Sequence, residues 1–178
     1  MKPASKSLGT GRYFEFDSLP STNRWVLEHI TDYRHGDLVL ARTQTAGHGR
    51  FDRSWIAPPG RCLTLSLILE PVRLQIPLVT VGPIAALSIR RLVIDLGIPG
   101  AALKWPNDVL VYDRKIAGIL LENHTSGKLV LGIGLNANLS VEELASLGID
   151  RPVTSLQAEA GHAFDLDELT RRLTSTLE

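Results

Sequence analysis

Residues 103–138 read "LKWPNDVLVYDRKIAGILLENHTSGKLVLGIGLNAN", a run of apolar, strand-like stretches broken by turns at Asp113-Arg114 and at Thr125-Ser126-Gly127. Stretches joined this closely fold back on one another as hairpins, so they commit the middle of the chain to a largely antiparallel sheet. "RYFEFDSL", "DLVLART" and "CLTLSLIL" extend the strand pattern upstream, the last with Leu63, Leu65, Leu67 and Leu69 on one face. Helical signals flank these strands. Ser21 or Thr22 is positioned to cap "STNRWVLEHI", the longest helical pattern covers 79–96 and is closed by Gly97, Ser140 caps "SVEELASLG", and a last helix starts near Asp165 and runs to the terminus. The expected fold is α+β, a mixed, mostly antiparallel sheet packed with helices, with residues 1–178 forming one domain.

Composition narrows the function classes. Lys plus Arg equals Asp plus Glu, 19 against 19, so no global field favours nucleic acid and any anion site must be local. "MKPASKSLGTGR" lacks the apolar core of a secretory signal. The longest uncharged apolar run, 76–89, contains two prolines and falls short of a membrane span. A cytoplasmic protein without membrane or nucleic-acid partners is the expectation. Cys62 is the single cysteine, which excludes an internal disulfide and a zinc ribbon. No GxSxG elbow, metalloprotease His pair or phosphate-binding P-loop is present.

Three segments carry unusual chemistry. "QTAGHGRFDRSWIAPPGR", residues 44–61, joins two strand-like runs through a Gly- and Pro-rich loop bearing Arg50, Arg53 and Arg61. Gly47 and Gly49 leave room for backbone N–H groups to converge on an oxyanion, while Arg50 and Arg53 supply charged, bidentate donors. The plain alternative is a solvated basic loop. "KWPND", residues 104–108, has a proline that interrupts any regular central strand, so Asn107 and Asp108 fall at a kink between strands and Lys115 follows one turn later. Taken alone, Lys104 and Lys115 read as surface charges and Trp105 as a core residue. "GIGLNAN", residues 132–138, sets two glycines in a strand, either because the missing side chains make room or to form a bulge at a tight packing point.

In this order and separation, "STN" (21–23), "QTAGHGRFDRSW" (44–55), "KWPNDVLVYDRKIAGIL" (104–120) and "GIGLNAN" (132–138) resemble the catalytic domain of biotin–protein ligases, over residues 13–178. The resemblance implies activation of biotin by ATP to biotinoyl-AMP, with release of pyrophosphate, then transfer to a lysine of a biotin carboxyl carrier protein. It implies a biotin pocket drawing on Ser21, Thr22, Asn23, Gln44, Gly47, His48 and Arg50, with Gly118, Ile119 and Gly134 along the biotin tail. Lys115 would be the principal catalytic cation, on the carboxylate and the α-phosphate. Arg50, Arg53, Trp55, Lys104, Asn107 and Asn136 would meet the nucleotide. Asn107 and Asp108 would help place the Mg²⁺–triphosphate or the incoming lysine, Asp108 also serving as a base. A homodimer is a family tendency.

Two loop positions depart from the family pattern, which has Arg where His48 stands and Gly where Asp52 stands. Neither an N-terminal helix-turn-helix nor the family's small C-terminal barrel is expected in residues 1–178. Two further readings stay open at this level: a biotin-binding module with impaired chemistry, and a ligase for lipoate or octanoate.

Overall fold

The computed structural model describes residues 2–8 and 11–177, with backbone only for 2–8 and for Asp52. Eight strands form one sheet in the order β1-β2-β3-β4-β8-β7-β6-β5. They are β1 (Lys2–Leu8), β2 (Gly11–Phe16), β3 (Leu38–Ala41), β4 (Cys62–Leu69), β5 (Ala101–Lys104), β6 (Asp108–Val111), β7 (Arg114–Asn123) and β8 (Leu129–Asn136). Only β2 and β3 run parallel; the other neighbours are antiparallel, as expected. Five helices complete the fold: α1 (Thr22–Glu28), α2 (Val81–Asp95), α3 (Val141–Ser146), α4 (Leu156–Ala160) and α5 (Leu166–Leu177). Among the described residues no helix is long and apolar enough to cross a membrane.

Strand parity sorts the core into two layers. Odd positions of β4 and β8, such as Leu63, Leu65, Leu131 and Leu135, pack with Ala85, Ile89 and Leu92 of α2 and Leu169 and Leu173 of α5. Even positions face the other way. There Ile68 and Val130 meet Val26 of α1 and Ile30 in a smaller cluster. On the same face Thr64, Ser66, Gly132 and Gly134 leave a hollow beside α1, where the site forms.

Local signals explain most boundaries. Ser21 caps α1, and Ser140 and Glu143 form a reciprocal capping box on α3. The β6–β7 turn falls one residue earlier than expected: Val111 pairs with Arg114, leaving Tyr112 and Asp113 as a two-residue loop, both with positive φ. That is the backbone of a tight hairpin whose twist matches the strands. Strand β1 and helix α4 were not expected; α4 is one short turn capped by Ser155 and closed by Gly161 at φ 79°. The long helix begins at Val81, because 78–80 form a separate 3₁₀ turn.

Candidate functional site

A cleft of about 100 Å³, open to solvent, lies on the even-numbered face. Three strand glycines floor it. A Cβ on Gly132 would fall 2.4 Å from Asn23 Oδ1, and one on Gly134 would fall 2.4 Å from the Trp55 indole. On Gly118 it would meet Lys115 Nζ at 3.0 Å and Trp55 at 3.3 Å. The glycines in "GIGLNAN" therefore make room for Asn23 and Trp55 in a strand pair of unbroken register, so the segment is not a bulge.

One end of the cleft is polar and compact. Gln44 Oε1 accepts from the Thr22 backbone N–H at 2.7 Å and from its hydroxyl at 3.2 Å. Ser66 Oγ lies 2.8 Å from Thr22 Oγ1 and 2.5 Å from Asn23 Oδ1. Asn23 Nδ2 donates to Glu122 Oε2 at 2.7 Å, and His48 Nε2 stands 3.4 Å from the same oxygen. Backbone bonds from Thr45 to Leu19 and from Ala46 to Pro20 tie the helix-capping segment to the start of the arginine loop. Ser21, Thr22 and Asn23 are all buried, so rotamers here are fixed before any ligand arrives.

Charge gathers at the other end. Pairing of β6 with β7 slips by one residue between Val109–Ala117 and Leu110–Lys115, so β7 carries one extra residue. Regular alternation from Gly118 would have put Lys115 with Ala117 and Ile119 in the core. The bulge sends Ile116 there instead and turns Lys115 toward the cleft, a recurrent use of bulges beside active sites. Lys115 Nζ pairs with Asp108 Oδ1 at 2.5 Å and lies 5.6 Å from the Trp55 ring centroid. Burial lowers the Lys115 pKa below its ordinary value; Asp108 opposes that, and Arg151 and Arg53 add to it.

The arginine loop is folded as a small hairpin across the cleft. Trp55 N–H donates to Gly47 O at 2.9 Å and Gly49 N–H to Arg53 O at 2.7 Å. Gly49 N–H therefore serves the hairpin and is not turned to an oxyanion, contrary to the convergence expected of both glycines. Gly47 is required by crowding, since a Cβ would lie 2.5 Å from the Trp55 carbonyl oxygen. At the tip Arg50 Nη1 donates to Asn107 Oδ1 at 3.1 Å, while Asn107 Nδ2 donates to Ile119 O at 3.2 Å. Asn107 thereby links the hairpin tip, the β5–β6 turn and β7. His48 Nδ1 and Trp55 Nε1 are buried without a partner among the described residues. The side chain of Asp52 lies outside the described part.

Most residues singled out from sequence converge. Ser21, Thr22, Asn23, Gln44, His48, Arg50, Arg53, Trp55, Asn107, Asp108, Lys115, Gly118, Ile119 and Gly134 all border the cleft, although the Ile119 side chain packs in the core. Three do not border it. Gly47 supports the hairpin from behind, Lys104 is exposed on β5, and Asn136 is buried with its amide donating to Thr154 O at 2.9 Å. Trp105 is 73% exposed and is no core residue, because the turn at 105–107 carries it off the sheet. Sequence reasoning missed Ser66 and Glu122, which fix Asn23, and Arg151, which borders the charged end. Even parity along β4 and β7 was the available signal for the first two; Arg151 had none.

The model of the biotin/lipoate A/B protein ligase family matches residues 13–138, which hold every motif described above. The chain belongs to this family. Among relatives, a biotin–[acetyl-CoA-carboxylase] ligase of Paracoccus denitrificans is 38% identical over 157 residues, covering 83% of this chain and 64% of the relative. A bifunctional ligase/repressor BirA of Salmonella typhimurium is 30% identical over 168 residues, covering 93% of this chain and 52% of the relative. The chain thus spans about half to two thirds of the curated relatives' length. A biotin protein ligase from Aquifex aeolicus, solved with biotin and ATP, superposes with a TM-score of 0.77 at 27% identity, covering 95% of this chain and 68% of that one. The biotin protein ligase of Leishmania major shares the fold at a TM-score of 0.78 and 24% identity, covering 93% and 72%.

Proposed function

We propose that this member of the family activates biotin with ATP and transfers it to a lysine of a carboxyl carrier protein, acting as a catalytic domain in the cytoplasm. The observation that carries the reading is the polarity of one cleft: a neutral hydrogen-bonding end, a glycine floor and a buried cation at the far end. A ureido head is a double donor with one acceptor, which suits the Thr22, Asn23 and Gln44 end. An aliphatic tail would run beside the Trp55 indole that covers Gly134 and Gly118, and a carboxylate needs Lys115. A dithiolane or an alkyl end brings no donor or acceptor to that end, where His48 Nδ1 already lacks a partner among the described residues and would stay unmatched, at about 1–3 kcal/mol. That favours biotin over lipoate or octanoate.

Chemistry follows from charge. Attack of the biotin carboxylate oxygen on the α-phosphate forms the C–O–P anhydride and expels pyrophosphate. Lys115 lies where both anions meet, and a buried ammonium stabilises developing phosphoryl charge more strongly than one in water. Arg50, held by Asn107 across the cleft, closes the hairpin over the nucleotide and shields the adenylate from water. In the second step the carrier amine attacks the acyl carbon, AMP leaves and the amine proton departs. Asp108 is the cleft carboxylate placed to accept that proton once Lys115 is engaged by anion. Among the described residues no three acidic or His/Cys side chains converge on a metal site, so Mg²⁺ would arrive on the triphosphate with Asp108 as its protein contact.

The test is biotin-dependent ATP–pyrophosphate exchange beside lipoate and octanoate controls. Exchange with biotin, reduced at least a hundredfold in Lys115→Ala with the fold retained, is expected on the scale of losing a preorganised transition-state donor. Exchange with lipoate alone would replace biotin as the substrate. Biotin binding without exchange would make the protein a binding module.

A further inference from the structure

The sequence contains fourteen arginines, and among the described residues eight of them form ion pairs with carboxylates. Of the remaining six, three border the cleft: Arg50, Arg53 and Arg151. Among the described residues the only acidic one lining the cleft is Asp108, which Lys115 already holds. Among the described residues, three guanidinium groups and an ammonium thus share Asp108 at this end, while Glu122 is engaged by Asn23 and His48 at the other, in a molecule whose formal charge is zero. Like charges gathered without counter-charge repel, and a multiply charged anion relieves that repulsion.

Arg50 and Arg53 belong to the hairpin; Arg151 belongs to a different wall. The segment after it is bonded to the catalytic lysine's own backbone. Lys115 N–H donates to Pro152 O at 2.9 Å and Thr154 N–H donates to Lys115 O at 2.9 Å, so Val153 pairs with Lys115 as a parallel bridge. At Lys115, β7 has β6 on one side and this segment on the other, where β8 no longer pairs with it. Arg50, bonded to Asn107 in the turn before β6, stands on the first side; Arg151, two residues before the bridged Val153, stands on the second.

We propose that Arg151 is an anion-positioning residue that holds the polyphosphate of the nucleotide from the side opposite Arg50, so that Lys115 is left to the reacting carboxylate and α-phosphate. The assignment rests on the nucleotide-dependent reading above and adds a residue from outside the four motifs. A guanidinium binds phosphate oxygens in pairs, which an ammonium cannot do, so lysine should serve only in part.

The experiment is calorimetric titration of the whole chain with ATP, inorganic tripolyphosphate and biotin, comparing wild type, Arg151→Ala, Arg151→Lys and Arg172→Ala. Arg172 removes the same charge away from the cleft, where it donates to the Asp95 carbonyl. Loss of one charged phosphate contact should weaken ATP and tripolyphosphate binding about tenfold or more in Arg151→Ala. Arg151→Lys should fall between, with Arg172→Ala and every biotin affinity within about twofold of wild type. Thermal melts verify the fold, and Arg151→Gln replaces Arg151→Ala if the latter melts early. Equal anion binding by wild type and Arg151→Ala, or no anion binding by wild type, would overturn the assignment. Weakened anion binding in a protein that neither binds biotin nor supports exchange would leave Arg151 in place and overturn the proposed function.

Discussion

Lys115 shows how one residue can be tuned from several directions. Burial lowers its pKa below that of an ordinary lysine while Asp108 supports its charge. Because the proposed reaction needs the ammonium, exchange activity should fall on the alkaline side below pH 10.5, the ordinary value. Asp108→Asn removes the group that favours the charged form, so the alkaline limb should move to still lower pH. A pH profile of the two proteins checks this, and a limb that stays put or rises in Asp108→Asn would refute it. Gly134 offers a second test at this scale. An added methyl would overlap the Trp55 indole, so Gly134→Ala should dislodge the hairpin without unfolding a well-paired strand. Overpacking of this kind costs about 1–3 kcal/mol, roughly a ten- to hundredfold loss of biotin affinity, with a shift in Trp55 fluorescence. Residues with local patterns were legible in the sequence. The glycines, Lys115 and the Asn107-Asp108 pair stand in recognisable company, whereas Arg151 and Glu122 reach the site through folding alone.

Among the elements, the junction of β2 and β3 carries most of its order on one side chain. Asp37 is fully buried and accepts from the Arg12 and Arg34 backbone N–H groups at 2.8 and 3.0 Å and from the Arg12 guanidinium at 2.5 Å. Burial works against its charge, but these donors outweigh burial and hold the pKa below the usual carboxylate value. Asp37→Ala strands those donors and should lower stability by about 2–4 kcal/mol, read from denaturant unfolding. Since the folded pKa lies below the unfolded one, that advantage is present in full above the unfolded value and disappears as pH falls through the folded one. The gap between wild type and variant should therefore close below about pH 4. A constant gap down to pH 2 would rule out the charge as its source. Strand pattern and turn residues gave away β2 to β8 and the longer helices. They missed α4, too short to show a period, and the bulge in β7, where Ile116 and Ala117 interrupt the alternation without saying which residue is extra.

For the whole molecule, the mostly antiparallel α+β design was readable because strands cluster between flanking helices and the family motifs occur in order. The second layer was less so: that one sheet face belongs to α2 and α5 and the other to α1 depends on which parity of β4 is apolar, and β4 is buried on both faces. Net neutrality required any anion site to be local, and the gathering of Lys115, Arg50, Arg53 and Arg151 at one cleft became visible only in the fold. The bridge between Lys115 and Val153 has a consequence for how the protein is made. A ribosome delivers the chain from its N-terminus, so the helix cap, the hairpin and the lysine strand all emerge before residues 152–154. Until those residues arrive, the lysine strand lacks a neighbour at that point, with one backbone donor and one acceptor unmatched. The cationic end of the cleft is thus finished only after the strands that floor it, and a chain stopped before residue 151 would expose a lysine strand without the wall that bears Arg151.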